Sequence, residues 1–263
     1  MIKCVLVIAG SDSLGGAGIQ ADIRTIASLR AHAATIITSL TAQNSMGIRS
    51  IHHIPSSFIK DQFEAVMEDV MPDAAKIGML GDLGAVQAVA ECLARYHISP
   101  VVLDPVLRAS RGRPLIESEA LVFLRENLLP LTDVVTPNLY EAEVLSGIRL
   151  TSTQDMEEAA LRIAQMGPNV VITGGHLKGE CADLFYDSKE FHWFRSQKID
   201  TPHTHGSGCV FSSALATGMA MGKSAVEATK MAHETTRCAI INSYVLGKGP
   251  GPVNPLGPVQ ACD

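Results

Sequence analysis

The residues from 201 to 211 read TPHTHGSGCVF, and their types and spacing allow three kinds of chemistry. His203, His205 and Cys209 form HxHxxxC, three metal ligands where a structural zinc site takes four, and no matching pair lies nearby. A nucleophilic Cys209 needs a paired base, and neither a GxSxG elbow nor another signature supplies one. The third reading starts from Gly206 and Gly208, which flank Ser207 directly before the small, apolar run CVFSSALATGMAM. A helix beginning there exposes N–H groups without intrahelical partners and the positive end of its dipole, and glycines let a ligand approach the backbone. Such an anion hole stabilises charge that grows during reaction, as on a transferring phosphoryl group. Cys209 as a small core residue remains the plain alternative.

Two other glycine motifs carry less. The pattern GxGxxA at 16–21 fits a dinucleotide loop, but that use needs an acidic residue about 20 positions on, and 33–40 holds only Thr and Ser as polar residues. Residues 218–224 come one residue short of a P-loop and follow a helix rather than a strand, so they read as a helix C-cap and the next helix start.

These residues need a scaffold. Apolar, β-branched runs recur at 4–9, 33–40, 74–79, 100–104, 133–136 and 169–173, with helical spacing at 17–29, 58–70, 83–96 and 156–166. Alternation of this kind predicts a mostly parallel sheet covered by helices on both faces, an α/β fold. The runs 181–187 and 190–195 predict a hairpin, and helices are expected at about 207–221 and 224–245. The Pro- and Gly-rich segment 247–258 is expected to lie along the surface. Nothing in the 263 residues marks a linker, so a single domain over 1–263 is expected. In such sheets ligands bind beyond the carboxyl ends of the strands, which places the chemistry in the loops after them.

A net charge of −6 without basic runs excludes a broad nucleic-acid footprint, and no apolar run reaches the ~18–20 residues of a membrane span. The first apolar run is also shorter than the roughly 7–15 residues of a signal-peptide core. Six scattered cysteines without a CxxC pair point to reduced thiols and a cytoplasmic setting.

Seven blocks, in one order along nearly the whole chain, resemble the hydroxymethylpyrimidine and phosphomethylpyrimidine kinases within the ribokinase-like superfamily. They are GSDSLGGAGIQAD (10–22), TAQNSMGI (41–48), KIGML (76–80), LDPV (103–106), LLPLTDVVTPNLYEAEVL (128–145), GGHL (174–177) and THGSGC (204–209). The resemblance implies a ribokinase-like three-layer α/β/α sandwich and a homodimer. It also implies ATP- and Mg2+-dependent phosphorylation of a hydroxymethylpyrimidine, then of its monophosphate, for thiamine biosynthesis.

The implied site has physical content. Gly16 and Ala17 lie in a loop where a flat ring can rest on backbone, with Asp22 facing the pocket; the alternative is an ordinary turn with Asp22 solvated. The Gln43 amide donates and accepts together, which suits an aminopyrimidine edge. Met79 and Val106 would add apolar contact, although both types are common in cores. Asn138 and Glu141 resemble the NxxE element that helps place magnesium, and alone they read equally as a helix cap. Asp104 is the other candidate for the magnesium shell. Asn138, Thr173, Gly175 and His176 are implied for ATP, and Gly206, Ser207, Gly208 and Cys209 for catalysis.

Departures from the family pattern matter. Cys209 replaces the aspartate base of much of the superfamily, and its position at a helix start predicts a lowered thiol pKa. Thr173 and Ser110 stand where lysines are frequent, so Arg111, flanked in the sequence by Arg108 and Arg113, is expected to serve the monophosphate. Thr41 replaces a more apolar pocket residue. A pyridoxal or pyridoxine kinase of the same fold, and a catalytically silent ligand-binding module, are the competing functions.

Overall fold

The computed structural model describes residues 2–109, 112–174 and 180–257. The first strand, β1 (Cys4–Asp12), shows why the chain folds around it. Leu6 and Ile8 enter one apolar cluster while Val5, Val7 and Ala9 enter another on the opposite face, so its run is apolar throughout rather than alternating. Helix α1 (Gly18–Ser28) then carries the chain to β2 (His32–Asn44), which pairs with β1 in parallel.

From β2 the chain turns back as β3 (Gly47–His53), continues through α2 (Ser56–Met67), and crosses to β4 (Ala74–Ile77) on the other side of β1. Helix α3 (Leu83–Tyr96) and strand β5 (Val101–Leu103) follow. Next come α4 (Ser118–Phe123), whose turns run on to Leu131, and β6 (Val134–Val135). Helices α5 (Leu139–Ser146) and α6 (Thr153–Ala164) lead to β7 (Asn169–Ile172). Strands β8 (Glu180–Tyr186) and β9 (Phe191–Gln197) form the expected hairpin, and helices α7 (Ser207–Ala220) and α8 (Ala225–Ile241) follow.

The strands form one nine-stranded sheet in the order β3-β2-β1-β4-β5-β6-β7-β8-β9. The interior from β2 to β7 is parallel, and β3, β8 and β9 are antiparallel additions at its two edges. One face packs against α2 to α6 around Phe63, Val89, Leu128 and Ile163, the other against α1, α7 and α8 around Ile26, Phe211 and Leu215. This is the three-layer α/β/α arrangement expected from the alternating pattern. Strand order reverses between β1 and β4, and the crevice beyond their carboxyl ends is where such a sheet binds ligands.

Three expectations need correction. The segment TAQNS is the end of β2 and its turn into β3, so Gln43 sits on a strand paired with Ile48. The segment after 247 does not simply lie on the surface: Gly251, Pro252 and Val253 are buried, with Val253 packed on Val210 and Ala239. Cys4, Cys92, Cys181 and Cys209 are thiols as expected, but Cys238 is disulfide-bonded.

Candidate active site

At the carboxyl end of β1, the Asp12 side chain organises the glycine loop. Its oxygens accept the N–H groups of Leu14, Gly16 and Ala17, each at 2.9 Å, and His205 Nε2 lies 3.3 Å away. Burial opposes the charge, but His205 and these backbone donors outweigh it and hold the carboxyl below its usual range. The loop must come close to other backbone. A Cβ on Gly18 would stand 2.3 Å from Gly10 O, and one on Gly206, at φ +86°, would stand 2.0 Å from Gly16 O. The glycine loop and the start of α7 are thus in direct contact.

Gln43 joins this group across β2. Its Nε2 is 3.3 Å from His205 Nε2, and its Oε1 is 3.5 Å from Thr41 Oγ1. Thr41 gives its hydroxyl proton to Ser11 O at 2.9 Å, which answers why a polar residue is tolerated in a more apolar place. Met79 lies half-buried beside Gly10, its carbonyl accepting from Thr38 Oγ1 at 2.7 Å, and Val106 is half-buried after β5. The histidines of the disfavoured zinc reading are engaged elsewhere: His203 Nδ1 accepts Gly251 N–H at 2.8 Å, and His205 faces Asp12.

Helix α7 begins at the cap Gly206, with Ser207, Gly208 and Cys209 in its first turn. Cys209 is half-buried, and its sulfur accepts the N–H of Gly18. Desolvation by burial pushes the Cys209 thiol up to about 12, with Lys76 opposing and the carboxylates of Asp22 and Asp104 adding to the rise. The helix-start argument for a lowered thiol pKa is therefore corrected: burial and the two carboxylates exceed the dipole.

Beneath this turn lies a charge pair that the sequence reading left unassigned. Lys76, on β4, is 0% exposed and donates to both oxygens of Asp22, itself 0% exposed, at 2.9 and 3.0 Å. Ser213 Oγ, from the second turn of α7, donates to Asp22 Oδ1 at 2.8 Å. Burial works against the lysine's charge, yet Asp22, Cys209 and Asp104 together raise its pKa, so it stays protonated. Asp22 as a pocket-facing residue is thus corrected, since its oxygens are already engaged and it presents no surface to a ligand.

Asp104 follows β5, accepts from Ser212 Oγ at 3.2 Å, and lies 3.8 Å from the place a Cβ on Gly208 would take. Burial raises its carboxyl pKa, Lys76 opposes and Asp22 adds. Asn138 and Glu141 form a capping box at α5: Asn138 Oδ1 accepts Glu141 N–H at 3.0 Å, and Glu141 Oε2 accepts Asn138 N–H at 2.9 Å. Glu141 Oε1 also accepts Leu107 N–H at 3.3 Å. Burial, then Asp104, pushes the Glu141 carboxyl up to about 8. Two buried carboxyl groups, one of which raises the other, fit a divalent cation that would offset their charge when ionised.

Thr173 bridges Asn138 along the sheet, and its N–H reaches Pro137 O at 3.0 Å. Gly175, His176, Ser110 and Arg111 lie outside the described residues. Arg108 stacks over Tyr140, 4.0 Å from its centroid, and Arg113 donates to Ile48 O at 2.9 Å, so both are engaged in holding the loop after β5. The sequence reading thus missed Asp12, Lys76 and His205 as a set. The available signal was a lysine inside the apolar run AAKIGM, which has to be paired when buried.

The profile of the family described as phosphomethylpyrimidine kinase matches residues 12–254. The chain is 44% identical over 252 residues to a thiamine biosynthesis bifunctional protein of Geobacter sulfurreducens, covering 95% of this chain and 51% of that one. It is 42% identical over 251 residues to the hydroxymethylpyrimidine/phosphomethylpyrimidine kinase of Streptomyces coelicolor, covering 95% and 93%. The crystal structure of Bacillus subtilis pyridoxal kinase in an ADP complex superposes with a TM-score of 0.90 at 37% identity, over 97% of each chain.

Proposed function

Because the chain belongs to the phosphomethylpyrimidine kinase family, we propose that it transfers the γ-phosphoryl group of ATP to a hydroxymethylpyrimidine and then to the monophosphate, in thiamine biosynthesis. The observation that carries this reading is the glycine-lined start of α7 at the strand-order switch, seated over protonated Lys76 and beside Asp104. A helix start backed by a buried cation is a place for phosphate oxygens, and the Gly208 and Cys209 N–H groups have no partner within the helix.

Gln43, held between Thr41 and His205, is positioned to read the ring edge, with Met79 and Val106 lining its flanks. The hydroxymethyl oxygen would then lie toward Cys209. Its bond to the γ-phosphorus forms as the bond from that phosphorus to the bridging oxygen breaks, and ADP leaves with the bridging oxygen. The alcohol proton departs late in a largely dissociative transfer, so the small thiolate fraction of Cys209 would be the form that accepts it. Asp104 and Glu141 would hold Mg2+, which supplies charge that offsets these carboxylates and the phosphate oxygens. Asn138, Thr173, Gly175 and His176 are assigned to ATP and Arg111 to the monophosphate.

The Bacillus subtilis likeness gives a second reading, phosphorylation of pyridoxal in the same pocket. ADP release measured with each alcohol in turn tests both. Turnover on the pyrimidine at least about tenfold above pyridoxal in kcat/KM, a gap of ~1.4 kcal/mol, supports the first reading; the reverse ratio supports the second, and no ADP release with either rejects both. Assembly as a cytoplasmic homodimer is part of the proposal. Sedimentation at equilibrium tests the dimer.

A further inference from the structure

Helix α8 packs on β8 and β9. Cys181 and Asp183 are two apart on β8 and so project to the same face, where His233 of α8 meets them. Their ligand atoms all lie within 4.8 Å of one another. Asp183 is 4% and His233 8% exposed, while half-buried Cys181 gives the cluster a side open to solvent.

The hydrogen bonds fix how the imidazole is used. Asp183 Oδ1 accepts Gly174 N–H at 2.9 Å, and Asp183 Oδ2 lies 2.7 Å from His233 Nδ1. An ionised carboxylate only accepts, so Nδ1 carries the proton and the lone pair is left on Nε2. That Nε2 is buried and has no hydrogen-bond partner. Asp183 Oδ2 and His233 Nδ1 are at the spacing of two ligands on one ion, and with the Cys181 thiol they make a carboxylate, imidazole and thiol set of the kind that holds metals. Neither the phosphoryl-transfer chemistry nor the pyrimidine contacts use these three residues.

We propose that Cys181, Asp183 and His233 form a binding site for a borderline transition-metal cation, with Zn2+ the best match. Sulfur, nitrogen and oxygen donors together suit Zn2+, whereas Mg2+ and Ca2+ take oxygen. Three side chains leave a coordination place for water on the open side of Cys181. Binding at Nδ1 moves the imidazole proton to Nε2, converts the thiol to thiolate and releases the thiol proton to solvent, with no change of oxidation state.

Co2+, which reports thiolate ligation by absorption, tests the site on the full chain after chelator treatment. One equivalent is expected to produce a thiolate-to-cobalt charge-transfer band, abolished by one equivalent of Zn2+ and unaffected by Cys209→Ser. Cys181→Ser should remove the band, and His233→Ala should weaken Zn2+ binding by at least about tenfold. A wild-type chain without the band, or a band that survives Cys181→Ser, overturns the proposal. A measurement without variants guards against misfolding: Zn2+ should slow alkylation of Cys181, followed peptide by peptide, and an unchanged rate would equally overturn it.

Discussion

At one end of the crevice Asp12 gathers three backbone N–H groups and His205, and Gln43 is held between His205 and Thr41. At the other end Asp104 and Glu141 are buried together, and Cys209 is held protonated next to them. The recognition end is complete as a hydrogen-bonded unit before any ligand arrives. The transfer end keeps protons on Glu141 and Cys209 until a cation and phosphates enter. Under the proposed assignment, preorganisation serves ring recognition, while charge balance at the reacting group is left to the substrates.

The sharpest way to break this contrast is Cys209→Ala, expected to slow phosphorylation by about 10²–10⁴ while pyrimidine binding persists. Near-normal turnover would return Cys209 to a packing role. The thiol sits at about 12, so the wild-type rate should keep climbing with pH through the alkaline range, and Cys209→Asp should move that rising limb to lower pH. Lys76→Met comes next. It strands Asp22 in an apolar interior, and breaking a buried pair on one side costs about 3–5 kcal/mol, readable as a lower urea midpoint. Adding Asp22→Asn should recover most of the loss, and a Lys76→Met chain as stable as wild type would deny the pair its structural role.

At the recognition end, Gln43→Leu should raise the pyrimidine KM by about 10–100-fold, the order of ~1–3 kcal/mol for unpairing ring-edge groups, and spare the KM for ATP. Equal losses for both would make Gln43 structural. The smallest effect concerns Glu141, whose carboxyl is raised to about 8 in the folded, metal-free chain. Below that pH Mg2+ must displace its proton, so half-saturating Mg2+ should rise as pH falls, by at most about tenfold per unit, and Glu141→Gln should remove that dependence. Because the folded value exceeds the unfolded one, the folded chain binds the extra proton between them. Stability from Glu141 is therefore fully present below the unfolded pKa and is lost as pH rises toward 8. The difference in thermal midpoint between wild type and Glu141→Gln, followed across that range without metal, checks the sign.

The parallel interior was legible because strands buried on both faces are written as uninterrupted apolar runs, as in 4–9 and 169–173. Strand β3 was not, because GIRSIHH lies at the sheet edge and shows only weak apolar alternation. The capping box at 138–141 is local and could be read directly. The charge pairs are not local: Lys76 to Asp22 spans 54 residues, Ser213 to Asp22 spans 191, and His205 to Asp12 spans 193. Periodicity carries no information on such partners. The thiol of Cys209 was misjudged for the same reason, since its helix start is visible in sequence and the carboxylates around it are not.

Gly251 and Val253 hold the residues around His205 by backbone: His205 N–H reaches Gly251 O at 3.4 Å, and Val253 N–H reaches His205 O at 3.0 Å. Gly251 N–H also caps the ring of His203. Residues 12, 205 and 253 thus meet in one hydrogen-bonded unit although His205 lies 193 residues from Asp12 in sequence, so the glycine loop is tied to the chain beyond 250 through a single histidine backbone and ring.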